Sequence, residues 1–378
     1  MATARTALEK VCGDVRADAE HGLTAAPASV EEAAAVMRAA AEHGLAVLPQ
    51  GAGTRAHWGP PARRRDLVLD TRRLDRLVEH AAGDLVVKAE AGLPMGRLAA
   101  ALAERGQRLA LDADPASTVG GTVATGAAGP LRLLYGTPRD LVIGLTLVRA
   151  DGEIARSGGK VVKNVAGYDL GRLFAGSYGT LGLIVEATFR LHPRPAVSAY
   201  VTASYTDPDA AHAAVQAVLH SPVHPSAVEV AAGGGGIAVG VLAEGATDRS
   251  GAVAALLGPG ASADASPPAW WGRRPGGGIL IEVTGRPTDL PRLLRAAPAL
   301  AWSASGHGWT ALPEDADPAP LLAALRAIGG AVVRTGPARV MQGPDVWGPL
   351  PALPLMRRVK DQFDPGHRLS PGRFAGGI

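Results

Sequence analysis

The chain has 378 residues, 47% hydrophobic and 19% charged, with 38 Lys and Arg against 35 Asp and Glu and a formal net charge of +3. That length exceeds what one hydrophobic core usually serves, so two domains are expected, and arginines dispersed beyond the Arg63-Arg64-Arg65 run argue against a nucleic-acid surface. Cys12 is the single cysteine, which excludes an internal disulfide and an iron–sulfur cluster held by this chain alone, and no apolar span reaches bilayer length.

Residues 1–11 lack the apolar stretch of a secretory signal, which predicts a cytoplasmic protein, at most peripheral to the inner face of the membrane. Ser29 followed by Glu32 is a capping box that opens a helix running to about residue 43, with Gly44 as its stop. A strand over 45–49 then delivers Gln50-Gly51-Ala52-Gly53-Thr54. Strands are predicted over 66–70 and 85–90, followed by a helix over 94–105 closed by Gly106. A strand near 108–111 leads to a second glycine-rich segment, and near-continuous apolar strands over 141–149 and 182–191 read as covered on both faces. The first 193 residues form one unit of mixed helix and strand.

From Ala196 the pattern changes to short strands, Ala-rich helices and turn clusters. Strand 197–205, a helix over 207–219 and strands 227–231 and 237–242 give one βαββ order. Strand 279–284, a helix over 288–296 and strands 300–303 and 309–312 repeat it, so the element order reads as a duplicated βαββ unit. Residues 246–278 read as a loop or excursion. After Arg339 a helix around 355–363 leads to Asp364-Pro365-Gly366 and Ser370-Pro371-Gly372-Arg373.

Gly51-Ala52-Gly53-Thr54-Arg55-Ala56 follows a strand, and Asp70 ends the next one, as in a dinucleotide fingerprint. Gly59-Pro60-Pro61 breaks the chain where the required helix would run, leaving either a plain turn or a nest of backbone N–H groups for an anion. The segment Asp114 to Gly126 is small, rich in donors and free of charge after Asp114, so its backbone can approach a ligand closely. Two such nests about seventy residues apart suit an extended dinucleotide.

Only five lysines accompany thirty-three arginines, and Lys160 and Lys163 are two of the five. An ammonium whose pKa moves easily is not interchangeable with a guanidinium, so lysine in this short loop suggests a specific need.

Pro49-x-Gly-x-Gly-Thr, the Thr118 to Gly121 loop, Tyr135-Gly136-x-x-Arg139-Asp140 with Gly144-Leu145, and Gly176-Ser177-x-Gly179-Thr180-Leu181-Gly182 together resemble the FAD-binding domain of the vanillyl-alcohol oxidase and p-cresol methylhydroxylase superfamily. Within it, Lys163-Asn164-Val165-Ala166-Gly167-Tyr168-Asp169-Leu170 is similar to the FAD-binding subunits of bacterial glycolate oxidase. The resemblance implies an α+β chain: a two-subdomain FAD-binding domain of the p-cresol methylhydroxylase type over 1–193, a smaller α+β cap domain over 194–338 carrying the duplicated βαββ unit, and a segment 339–378 returning to the first domain. It implies that Gly51, Ala52, Gly53, Thr54 and Arg55, with Ser117, Thr118, Gly120, Gly121 and Thr122, hold the FAD diphosphate, and that Gly182, Ile184 and Val185 lie near the adenosine. Pro115, Ala124, Thr125, Arg139, Asp140 and Arg373 complete the cofactor-binding set. Thr54 follows Gly53 where some relatives carry a flavin-linked histidine, and His57 comes later, so the FAD is expected to be non-covalent. Ser370 stands where the family's closing Asn-Pro-Gly usually begins.

Oxidising a 2-hydroxy acid requires a base for the hydroxyl proton and a cation for the carboxylate. Lys163 and Tyr168, oriented by Asp169, are the candidates, with Arg139 and Arg339 as secondary clamps. Tyr168 reads equally as a ring buried against the core, and Asp169 equally as a helix cap. The larger hydroxy-acid oxidases carry a His-x-x-His-x-Gly-Asp-Gly-Asn segment with no counterpart here. No metal site is expected, because Pro222 and Pro225 keep His220 and His224 off a common helical face. His307, in a predicted hairpin turn, and His192, before a proline, read as surface residues. The expected partners are a 2-hydroxy acid such as glycolate or D-lactate, a second and larger flavoprotein subunit, and an iron–sulfur subunit, with no nucleic acid. The alternatives are a stand-alone FAD-linked oxidase of an alcohol or sugar, a nicotinamide-dependent reductase, and a non-catalytic flavin-binding assembly subunit.

Overall fold

A computed structural model of the chain describes residues 2–18, 22–159, 169–343 and 346–378. These fall into two units, one formed by Met1–Ala128, Gly136–Arg194 and Leu350–Ile378, the other by Gly129–Tyr135 and Pro195–Pro349. Two boundaries differ from those expected. Gly129–Tyr135 leaves the first unit because Leu133 packs on the second unit's core, and the second unit continues past 338 because Met341 and Val346 are buried in that core. The returning segment therefore starts at Leu350.

In the first unit, Ser29 caps the Val30–Glu42 helix, its side chain accepting from the Glu32 N–H, while the Glu32 carboxylate accepts from the Ala28 N–H at 2.8 Å. Val36, Met37 and Ala40 lie on the buried stripe of this helix and share a core with Leu67 and Leu69. That helix covers a four-stranded sheet in the order Val15–Asp18, Gly22–Ala25, Leu67–Asp70, Val47–Gln50, whose last three strands run parallel. The edge is closed by the C-terminal segment. The Val47 N–H donates to Arg368 O at 2.8 Å and the Ser370 N–H to Val47 O at 2.9 Å, so the last residues pair with the strand that delivers the first glycine loop.

The same unit holds a five-stranded antiparallel sheet in the order Leu77–Ala81, Val86–Glu90, Leu183–Arg190, Val142–Val148, Ile154–Gly158. Its central strand Leu183–Arg190 is buried as far as Phe189, as a strand covered on both faces must be. The strand expected near 108–111 is shorter and earlier, Gln107–Arg108, paired with His192–Pro193. Helix Val119–Thr125 is capped by Thr118, whose side chain accepts from the Gly121 N–H, and ends at Gly126 in the left-handed conformation.

In the second unit one eight-stranded antiparallel sheet has the order Ser262–Asp264, Val197–Tyr205, Gly236–Gly245, Ala227–Gly233, Leu300–Ser303, His307–Leu312, Ile279–Thr284, Gly330–Thr335. The repeat is present and longer than the sequence pattern suggested. Helix Ser250–Leu257 and strand Ser262–Asp264 occupy the stretch read as a loop, and helix Ala319–Arg326 and strand Gly330–Thr335 extend the second copy in the same way. Each copy is therefore βαββαβ. Numbering its four strands in chain order, both copies run 4-1-3-2 across the sheet and abut through their second strands, Glu229 opposite Ser303 and Val230 opposite Trp302. The helices pack on one face, over Val201, Val230, Val241, Ile281, Trp302 and Val333. Among the described residues of the chain no helix is long and apolar enough to cross a membrane.

Candidate functional site

The two glycine segments meet at a cleft in the first unit that encloses about 820 Å³, counted out to its open mouth. Its walls come from the end of the Val47–Gln50 strand, the Gly51 to Ala56 loop, the Thr118 to Thr125 cap and helix, Tyr178 and Gly179, the start of the Leu183–Arg190 strand, and Arg373. The loops touch without space between them. A Cβ added at Gly51 would lie 2.2 Å from Thr118 Oγ1, and one at Gly120 would lie 2.7 Å from the Ala91 Cβ, so both positions admit only hydrogen. Gly53 and Gly179 are left-handed, and so is Tyr178, at φ +57°. A non-glycine residue held in that region costs energy and persists where the surroundings fix it. Here Tyr178 packs on Phe374 with ring centroids 5.6 Å apart.

Two guanidinium groups dominate the electrostatics. Arg55 Nε and Nη1 are buried without a hydrogen-bond partner among the described residues, and the side chain stands 5.5 Å from the Trp58 ring. Burial pushes its pKa down, opposed by nearby Asp114 and Tyr178. Arg373, 9% exposed, donates from Nη2 to Trp58 O at 2.8 Å, and burial lowers its pKa too. An arginine keeps its charge in any protein setting, and a buried charge whose N–H groups lack hydrogen-bond acceptors is costly. Two such groups in one cleft lined by glycine backbone select an anion.

Of the expected cofactor residues, Gly51, Ala52, Gly53, Thr54, Arg55, Thr118, Gly120, Gly121, Ala124, Thr125, Gly182, Ile184 and Arg373 line this cleft. The others stand outside it. Ser117 donates to Asp114 O at 2.6 Å and lies 3.1 Å from Thr122 Oγ1, so this pair braces the loop from behind. Pro115 is exposed and its carbonyl accepts from the Gly96 N–H. Val185 is fully buried, with its carbonyl accepting from the Ala91 N–H. Asp140 closes the capping box of the Pro138–Leu141 helix by accepting from the Thr137 N–H at 2.8 Å, and Arg139 is exposed.

Lys163 and Tyr168 lie outside the described residues, as does Lys160. Asp169 is described and caps the Leu170–Phe174 helix, accepting from the Arg172 N–H and pairing with Arg172 Nε at 3.1 Å. Arg339 donates to the carbonyls of Glu314 and Ala316. His307 is not the surface residue expected. It is 8% exposed, and its Nε2 lies 2.5 Å from Glu282 Oε1.

Sequence reading missed Tyr178, Gln50 and Thr71 in the cleft wall, and also Lys360 beneath it. Lys360 and Asp364 are buried and 2.6 Å apart, and Nζ also donates to Thr180 O at 2.7 Å and Leu369 O at 3.0 Å. This ties the last helix to the Ser177 to Gly182 turn and to the C-terminal segment that pairs with Val47. The i, i+4 spacing of Lys360 and Asp364 was visible, but an exposed pair has the same spacing.

Residues 22–158 match the family model of the FAD-binding domain. The chain carries an FAD-binding domain. The glycolate oxidase subunit GlcD of Bacillus subtilis is 36% identical over 186 residues, 48% of this chain and 39% of that one. The subunit GlcE of Escherichia coli is 40% identical over 152 residues, 39% of this chain and 43% of that one. A D-lactate dehydrogenase of Archaeoglobus fulgidus is 39% identical over 148 residues, 38% of this chain and 33% of that one. The aligned segments thus span less than half the length of these relatives. Among solved structures, an alkyldihydroxyacetonephosphate synthase superposes with a TM-score of 0.70 at 18% identity over 92% of this chain and 75% of that one. A chitooligosaccharide oxidase superposes with a TM-score of 0.67 at 14% identity over 97% of each. The fold is that of these solved structures. FAD fits the cleft of its FAD-binding domain on chemistry as well: a diphosphate supplies acceptors for Arg55 Nε and Nη1 and negative charge beside Arg373, and the N–H groups of Ala52 to Arg55 donate to no backbone carbonyl among the described residues.

Proposed function

We propose that the chain is the FAD-binding subunit of a glycolate oxidase complex, oxidising glycolate, or a similar 2-hydroxy acid such as D-lactate, to the 2-oxo acid. The observation that carries the reading is the likeness to two different glycolate oxidase subunits in a chain whose own cleft converges Arg55, Arg373 and two glycine loops. The D-lactate dehydrogenase relative supports the substrate class. In this reading Gly51 to Arg55, Thr118 to Gly121 and Arg373 hold the diphosphate, with Gly182 and Ile184 toward the adenosine and the FAD bound non-covalently. When bound, FAD supplies the acceptor for the hydride leaving the substrate Cα.

The chain's own groups do the rest. Thr118 caps its helix by accepting from the Gly121 N–H, the Val119 and Gly120 N–H groups donate to Leu93 O and Ala91 O, and Ser117 with Thr122 keeps that loop in place, so this segment offers the cofactor a close, side-chain-poor wall. Lys163 and Tyr168 are the proposed charge and hydrogen-bond donor on the substrate side. Cys12 is single and buried, so one-electron transfer belongs to a partner: the proposed complex contains a second, larger flavoprotein subunit and an iron–sulfur subunit.

The test is anaerobic addition of glycolate or D-lactate to the purified chain while its flavin absorbance is recorded. Bleaching of the flavin band is the expected result. A yellow protein that bleaches only when its partner chains are added would move the hydride step to another subunit and leave this one a flavin-binding assembly subunit. A colourless protein that takes up no FAD would defeat the reading.

A further inference from the structure

The Arg63-Arg64-Arg65 run takes no part in the cleft wall, yet it lies against the segment that carries Arg373 into that wall. The Arg63 N–H donates to Pro371 O at 2.8 Å. A Cβ added at Gly372 would lie 2.6 Å from Arg63 Cγ, and one at Gly377 would lie 2.6 Å from Arg63 Nη2. Both glycines are left-handed, at φ +85° and +80°, so the chain closes round this side chain where a larger residue could not.

The three arginines have different surroundings. Arg64 turns away, pairing with Asp66 at 2.5 Å and donating to Gly44 O at 2.7 Å. Arg63 and Arg65 are exposed, and neither guanidinium makes a hydrogen bond or an ion pair with a described residue. Burial first, and then the like charge of Arg65, lowers the Arg373 pKa, which puts Arg65 within electrostatic reach of the cleft wall. Arg55 and Arg373 meet at Trp58, one beside its ring and the other on its carbonyl. Asp114 is the one carboxylate among the described residues that acts on either buried guanidinium, and it acts on Arg55. Positive charge therefore dominates the Arg373 side of the cleft.

Exposed arginines contribute little to the affinity of a ligand they do not touch, because water and salt screen them. Their field still acts at range: the screening length is about 8 Å at physiological ionic strength, and the walls of a cleft focus the potential. Such charges set how fast an anion arrives.

Resting on the placement of the diphosphate given above, we propose that Arg63 and Arg65 steer FAD into the cleft, drawing the anionic cofactor to the Arg373 side and raising its rate of entry. Arg55 and Arg373 hold the cofactor once it is bound. Arg63 and Arg65 do not touch it, so its rate of release is independent of them.

The test mixes full-length protein stripped of flavin with FAD in a stopped-flow instrument and follows flavin fluorescence, with release measured separately by dilution. In Arg63→Gln/Arg65→Gln the entry rate constant falls about ten-fold at low salt, the lower end of the range for steered association. The low-salt measurement is made at about 10 mM, where the screening length is about 30 Å, and the loss disappears at about 1 M, where it is about 3 Å. Release is unchanged at both, and Arg63→Lys/Arg65→Lys, which keeps the charges, enters at the parent rate. Arg65→Gln alone leaves the Arg63 packing on Gly372 intact and shows a smaller loss with the same salt dependence, so the result does not hinge on the folding of the double variant. Equal entry rates of parent and glutamine variants at low salt would overturn the inference, as would a loss that persists at high salt or is not rescued by lysine. Arg55→Met separates the two readings, because it should speed release: release at the parent rate would defeat the diphosphate placement, whatever the entry rates show.

Discussion

Lys360 and Asp364 form a buried ion pair one helical turn apart, at 1% and 0% side-chain exposure, and the lysine's remaining donors go to the carbonyls of Thr180 and Leu369. One ammonium thereby joins three segments that are distant in sequence. The turn that carries Tyr178 into the cleft and the C-terminal segment that carries Arg373 into it are fastened to the same atom.

Lys360→Met should cost about 3–5 kcal/mol, the usual penalty for stranding one member of a buried pair. Asp364 would keep its charge among apolar neighbours, with only the Leu369 N–H left on its Oδ2. The double variant Lys360→Met/Asp364→Asn should recover much of that loss. Urea unfolding of the three proteins measures it, and equal stability of single and double variants would refute the coupling.

Gly51→Ala should abolish FAD uptake while leaving the fold intact. The added methyl would fall 2.2 Å from Thr118 Oγ1 and push the two loops apart where they close the cleft wall. Replacing Thr118 by glycine in the same protein removes the obstructing atoms and should restore part of the flavin, glycine being tolerated at a helix cap at a cost of only a few tenths of a kcal/mol. Flavin content per chain after gel filtration reads both outcomes.

Arg55→Met should have opposite effects on the two forms of the protein. Without FAD it removes a buried charge whose Nε and Nη1 have no partner, so thermal stability should hold or rise. With FAD it removes a counter-charge, so the stabilisation on adding the cofactor should shrink by about 2–3 kcal/mol, the scale of a hydrogen bond to a charged group. A variant as strongly stabilised by FAD as the parent would count against the diphosphate assignment.

Acid should weaken the second unit through Glu282. Its carboxyl titrates at about 2 in the folded chain, below the ordinary value of 4.5. The folded state therefore binds fewer protons than the unfolded one between these values, and the contribution is complete above about pH 4.5 and lost as pH falls toward 2. Glu282→Gln should flatten the stability profile over that window. Guanidinium unfolding between pH 3 and 7, followed by tryptophan fluorescence, reports it because Trp302 is buried in this unit's core.

The glycine loops were legible because their requirements are local: a strand, a turn that needs left-handed or side-chain-free positions, and prolines that forbid a following helix. The helix cap at Ser29 was legible for the same reason. Burial at long range was not. Lysine scarcity pointed to Lys160 and Lys163, yet two others of the five have specific structural partners, Lys88 paired with Glu186 at 2.8 Å and Lys360 with Asp364. Residues 246–278 looked like a loop because Ala, Gly and Pro carry little periodicity, and the helix within them is defined by Val253 and Leu257 reaching a core built from other strands. His307 looked exposed because Gly306 and Gly308 mark a turn. The turn is there, with Gly306 left-handed, but its position inside the sheet row buries the ring.

The matching 4-1-3-2 order of the two copies has a consequence for how such a unit arises. A single copy would leave Ala227–Gly233 as an unpaired edge, and two identical copies would satisfy it by pairing that strand with its own symmetry mate, a closed and self-complementary association. Fusion into one chain makes the seam internal and frees each half from having to serve both sides. The strand order has kept the two-fold relation while the side chains have not: the ion pairs of Glu282 with His307 and Arg334 belong to the second half alone.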